Sequence, residues 1–203
     1  MTRVLSGAVL VVVTIAIVWF APPIVFEAFA LLVVVLGTIE LQRLVGMAAW
    51  PMALLYVLMP LAALVQIRLI AGPQAVFLVM LTIMVSDTAQ YYSGRAFGRR
   101  PLAPRISPKK TIEGAVGGFV VATAMFVIVG AWWAPTMGVA ARVALGLTLV
   151  ALGIAGDLFE SFLKRRAGVK DSSHLIPGHG GVLDRIDALL FAAPAYYAAL
   201  KLL

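Results

Sequence analysis

The run VAARVALGLTLVALGIAGDLFESFLK, residues 139–164, decides how the rest of the chain is read. Between Arg142 and Asp157 stand fourteen residues without a charge, and then Asp157, Glu160, Ser161 and Lys164 follow in quick succession. On a helix those four are spaced i, i+3, i+4 and i+7 and share one face. The apolar part suits lipid, where a span needs about 20 mostly apolar residues. The polar end is where such a helix leaves the membrane. An acid, a hydroxyl and an ammonium on one face can hold a metal ion and a phosphate together. The same spacing also fits an ordinary i, i+4 ion pair between Glu160 and Lys164.

Working outward, six further apolar runs appear, at 4–20, 24–44, 50–70, 73–92, 113–133 and 186–203. Of the 203 residues, 63% are hydrophobic and 12% charged, with mean hydropathy +1.04. A soluble domain carries about a quarter charged residues, and one small core could not hide this much apolar surface. The expected fold is therefore an all-α polytopic membrane protein of about seven transmembrane helices with two cytosolic catalytic loops, 93–112 and 165–185. Residues 1–72 are read as three N-terminal spans and 73–203 as the catalytic membrane domain. Phe20-Ala21-Pro22-Pro23 makes a poor leader-cleavage site, so the first run is read as a retained helix. Pro60, inside the third run, is expected to kink its helix rather than end it.

Charge distribution sets the expected orientation. With seven crossings, thirteen of the sixteen lysines and arginines fall on one side, and only Arg68, Arg142 and Lys201 on the other. That is a strong positive-inside bias, and it places both polar loops in the cytosol. The net charge of +7 thus belongs to loops at a membrane surface and does not argue for nucleic acid. Thirteen or fourteen helical residues reach only about 20 Å, so Asp157 and Asp187, that far from Arg142 and Lys201 respectively, are expected below the interface, on the wall of a polar cavity.

The segment 170–187 reads KDSSHLIPGHGGVLDRID. Gly178, Gly180 and Gly181 let a backbone approach a ligand and offer an anion nest of N–H groups. Asp184 and Asp187, three apart, can face one ion, and oxygen donors suit Mg²⁺; Arg185 can neutralise a phosphate. Acids are also ordinary in a first helical turn for dipole reasons. With no cysteine and no His-x-x-x-His, zinc is not expected; His179 is read as a phosphate or loop contact, and His174 has no assigned role. In the other loop, Ser107-Pro108-Lys109-Lys110-Thr111 sets hydroxyls and ammoniums beside a helix start, which makes either a phosphate site or a capping turn. Arg99 and Arg100 fit a phosphate site or a membrane anchor equally. Neither loop carries a Walker A sequence or a GxGxxG.

The segment from Ser161 to Asp187 resembles the signature of the phosphatidate cytidylyltransferase (CDP-diacylglycerol synthase) family. Ser161, Lys164, Arg165, Lys170, Asp171, His179, Gly180, Gly181, Asp184, Arg185 and Asp187 stand in register with it, eleven fixed residues in 27 positions. The likeness extends upstream through Asp87, Gly94-Arg95, Phe97-Gly98, Ser107 to Thr111 and Glu113-Gly114, while the N-terminal runs match only in being hydrophobic. Gln90 departs from the small residue that many relatives carry.

The resemblance implies transfer of a cytidylyl group from CTP to phosphatidate, giving CDP-diacylglycerol and pyrophosphate, with Mg²⁺ as cofactor. It also implies a second, monovalent cation such as K⁺, and a homodimer among membrane lipids. The expected metal ligands are Asp157, Asp184 and Asp187, with Glu160 in reserve. Asp157, Lys164, Asp184 and Asp187 are the expected catalytic groups. Ser107, Lys109, Lys110, Ser161, Arg165, Lys170, His179, Gly180, Gly181 and Arg185 are the expected substrate contacts. A CTP-dependent polyprenol or dolichol kinase, which would release CDP, and a small ion-coupled transporter are the competing readings.

Overall fold

The computed structural model describes residues 2–202; the Arg3 side chain and the last residue of the expected span 186–203 lie outside what is described. The chain is built from α1 (Thr2–Phe20), α2 (Pro23–Val45), a short 3₁₀ turn, α3 (Trp50–Phe97), a hairpin of β1 (Pro101–Ala103) and β2 (Ser107–Thr111), α4 (Ile112–Trp133), α5 (Val139–Arg166) and α6 (Leu183–Leu202). Four helical runs are long and apolar enough to cross a membrane: Pro23–Val45, Met47–Phe97, Ile112–Trp133 and Val139–Arg166. The all-α membrane architecture is therefore present.

Local chemistry explains the boundaries. Pro22 and Pro23 separate α1 from α2, and Pro23 occupies a first-turn position where its missing N–H costs nothing. The expected runs 50–70 and 73–92 are joined in α3 but broken at Gly72, whose φ of 79° only glycine adopts without strain. Pro60, by contrast, sits in a helix that continues through it. At the far end, Thr111 caps α4, its Oγ1 accepting from the Gly114 N–H at 3.1 Å.

Both expected loops are shorter than the sequence pattern indicated. Helix α3 runs on to Phe97 and the rest of 93–112 is mostly a two-stranded antiparallel hairpin. The second irregular segment is confined to 167–182 because α5 and α6 extend to Arg166 and from Leu183.

Small residues let the helices approach closely where the polar groups gather. A Cβ on Gly156 of α5 would stand 2.5 Å from the Asp187 carbonyl oxygen and 3.1 Å from Ala188 Cα, so α5 and α6 cross nearly backbone to backbone there. Gly114 and Gly118 of α4 do the same against the backbone carbonyls of Gln90 and Ser86 of α3. One apolar core joins α1, α3 and α6 with α4 and α5 through Val18, Ile67, Val79, Phe126, Leu149 and Tyr196. A second joins α2 and α3 to α6 through Val34, Leu41, Val57, Leu61, Leu183 and Leu190. The outward faces remain apolar, as at Leu31, Met52, Val120 and Trp132, where lipid is the natural neighbour.

Candidate active site

Two polar centres lie side by side at the end of the bundle that carries the hairpin and segment 167–182. The first is an open cavity of about 560 Å³. Helix α3 contributes Asp87, Gln90 and Arg95 to its wall, β2 contributes Ser107, Lys109 and Lys110, and α5 contributes Asp157. The Lys110 ammonium pairs with the Asp157 carboxylate, both side chains being about three-quarters covered. Ser161 donates to Asp157 Oδ1 at 3.4 Å, and Gln90 Nε2 donates to Asp87 Oδ1 at 3.3 Å. Arg165, at the rim, donates to the carbonyls of Ile106 and Val169 and so ties the hairpin turn to the signature segment.

The second centre is a closed web. Lys164 Nζ lies 2.6 Å from Glu160 Oε2 and 2.6 Å from Asp184 Oδ1, and Glu160 is only 1% exposed. The i, i+4 pairing that the spacing allowed is thus formed, but inside the protein rather than on a solvated end. Asp184 Oδ2 accepts from the Ser172 N–H at 2.9 Å, the Ser172 hydroxyl at 2.8 Å and the Gly181 N–H at 2.8 Å. Burial pushes the Asp184 carboxyl up, but the Lys164 ammonium and then the Gly181 and Ser172 donors outweigh it and hold the group down at about 2.

Glu40, which the sequence pattern did not single out, completes the web from α2. Its carboxylate accepts from Ser172 Oγ at 3.1 Å, Ser173 Oγ at 2.6 Å, the Val182 N–H at 3.1 Å and the Leu183 N–H at 2.7 Å. Of the glycines expected to form an anion nest, Gly181 donates here, and with Val182 and Leu183 it holds the chain's own carboxylates. Gly181 is glycine because a Cβ there would collide with Glu40 Oε2 and Ser172 Oγ. The one advance signal for Glu40 was an acid in a mostly apolar run, which it shares with Glu27.

The remaining expected residues are placed as follows. Asp187 accepts from the Ala188 N–H at 2.7 Å and lies within electrostatic reach of Asp157 and Asp87, so three carboxylates from α3, α5 and α6 share one neighbourhood. His179 meets α1, with Nδ1 3.0 Å from Ser6 Oγ, which also donates to the Pro177 carbonyl. Gly180 has φ 81° and packs on Asp184. Lys170 is exposed on the irregular segment. Arg185 stands at the head of two apolar grooves of about 320 and 340 Å³ between α1, α2, α3 and α6, and Asp87 borders both the second groove and the polar cavity.

Among the described residues, no three carboxylate or imidazole groups already form a metal-ligand cluster. The donor chemistry nevertheless fits a hard divalent cation, since Asp87, Asp157 and Asp187 offer only carboxylate oxygen close to one another. Asp184 and Glu160 are instead engaged by Lys164. Close by, Glu160 Oε1 and Tyr56 Oη are buried without a hydrogen-bond partner among the described residues.

Comparison with known proteins agrees with this arrangement. A sequence model described as the cytidylyltransferase family matches residues 45–203. A phosphatidate cytidylyltransferase of Haemophilus influenzae is 45% identical over 122 residues, covering 58% of this chain and 42% of that protein. One of Thermotoga maritima is 40% identical over 161 residues, covering 77% of this chain and 60% of that protein. The chain thus spans about half the length of the curated relatives it matches. The matched region holds the hairpin, the paired Lys110 and Asp157, and the whole signature segment, and on that ground the chain belongs to the cytidylyltransferase family.

Proposed function

We propose that the chain transfers the cytidylyl group of CTP to phosphatidate, giving CDP-diacylglycerol and pyrophosphate. The observation that carries this reading is the meeting, at Asp87, of a charged cavity and an apolar groove that is sunk between helices and also lined by Arg185. A water-soluble triphosphate and a lipid phosphate need adjoining compartments of those two kinds. Relatives named phosphatidate cytidylyltransferase support the same assignment.

The nucleophile is a phosphate oxygen that is already anionic, so no strong general base is required. That oxygen attacks the α-phosphorus of CTP; a P–O bond forms to the lipid as the bond to the β-phosphate breaks, and pyrophosphate leaves with the electron pair. The chain's task is to bring two anions together and hold them in line. Arg95, Ser107, Lys109 and Lys110 hold the triphosphate, Lys110 exchanging its Asp157 partner for phosphate oxygens. Arg185 takes the lipid phosphate while the acyl chains lie in the grooves. Asp157 and Asp187, with Asp87, would hold Mg²⁺, which when bound supplies several kcal/mol of charge stabilisation at the phosphates. Lys164 and Asp184 act by fixing the start of α6.

We further propose seven crossings, with α3 counted as two about Gly72, and a cytosolic site. The thirteen-to-three division of basic residues supports this orientation.

The test supplies purified protein with radiolabelled CTP, phosphatidate and Mg²⁺. Lipid-soluble label with stoichiometric pyrophosphate is expected; released CDP would instead identify a lipid kinase. Asp187→Asn should leave the unfolding temperature near that of the parent and abolish turnover, and near-normal activity at limiting Mg²⁺ would remove Asp187 from the ligand set.

A further inference from the structure

Helix α6 carries Asp184 and Arg185 in its first turn and Asp187 just beyond it, so the reaction depends on where that helix begins. A helix N-terminus leaves its first N–H groups without partners, and they are usually met by a Ser, Thr, Asp or Asn just before it. Val182 occupies that place here, and its side chain has no acceptor to offer. The acceptor comes from 142 residues away: Glu40 of α2 receives the N–H groups of both Val182 and Leu183. Its two oxygens divide four donors evenly, Oε1 taking Ser173 Oγ and Val182 N, and Oε2 taking Ser172 Oγ and Leu183 N. Glu40 is 3% exposed and borders none of the cavities described above.

Through Ser172 the carboxylate is one hydroxyl from Asp184, and through Asp184 it reaches Lys164 and Glu160. The web therefore runs from α2 through segment 167–182 to α6 and α5. Glu40 also lies before residue 45, where the family match begins. We infer that Glu40 is a positioning residue: from the N-terminal helices it sets the start and rotation of α6, and so the placement of Arg185 and Asp187 against Asp157. This rests on the reaction proposed above.

Glu40→Gln tests it, because the amide keeps the length of the side chain but turns an N–H₂ toward two of the four donors. Turnover per folded molecule is expected to fall about tenfold or more, with KM for CTP changed by less than about threefold. Amide hydrogen exchange should quicken about tenfold in the segment 172–186 and stay at the parent rate in α4. Glu27→Gln, in the first turns of the same helix, should change neither. If Glu40→Gln does not accumulate, Ser173→Ala removes one donor while sparing the helices, and should shift turnover and the same exchange segment in the same direction, by about threefold. Parent-level turnover per folded molecule, or exchange quickened evenly along all helices, would overturn the inference. A parent protein unable to make CDP-lipid would count against the reaction itself, and the exchange pattern would then decide the role of Glu40 alone.

Discussion

Two lysines show how position decides what a charge does. Lys164 is enclosed between Glu160 and Asp184, so Lys164→Met leaves two buried carboxylates without their cation. A loss of about 3–5 kcal/mol is expected, read as a lowered unfolding temperature in detergent. Lys110 faces the open cavity, and Lys110→Met should change stability by less than about 1 kcal/mol while raising KM for CTP. Asp184 adds a pH signature. Its carboxyl is held at about 2 against an ordinary 3.8, so the ionised form favours the folded state above about pH 4. That contribution fades as pH falls from 4 toward 2. Unfolding curves at pH 5 and 2.5 should show it, and Asp184→Asn should flatten the difference. Spacing alone made the Glu160–Lys164 pair legible, but not its burial, because nothing local to α5 reveals that α6 will close over it.

Among the helices, closeness of approach governs the site. Gly156 sets the distance between Asp157 on α5 and Asp187 on α6, since a side chain there must push against the Asp187 carbonyl. Gly156→Val should cost about 1–3 kcal/mol and reduce turnover together with stability, which unfolding and activity measured on one preparation would show. The apolar runs were legible because lipid demands an unbroken stretch of apolar residues, and the break at Gly72-Pro73 because those residues punctuate helices. The hairpin was not. Its strands are three and five residues long, rich in lysine and proline, with no alternation to mark them. The glycine-rich segment announced N–H donors for an anion, yet whether the anion is a substrate or Glu40 depends on a helix over 130 residues earlier.

Taken whole, the molecule is a bundle whose two polar centres sit at one end. A single cysteine introduced at Arg105 or Lys170 should react with a membrane-impermeant reagent from the cytosolic side only, and one at Thr136 from the opposite side only. Reversed labelling would refute the proposed orientation. An apolar core and the Glu40 contacts join residues 1–72 to residues 73–203. Finally, the backbone donors at 181–183 are already saturated from within. Sulfate or inorganic phosphate added to the medium has no foothold there, which leaves the lysine-lined cavity as its point of competition with CTP. Inhibition by such salts should therefore weaken in Lys110→Met and survive in Ser173→Ala, so that a simple salt titration reports which anion cradle of the molecule is open for trade with the solvent.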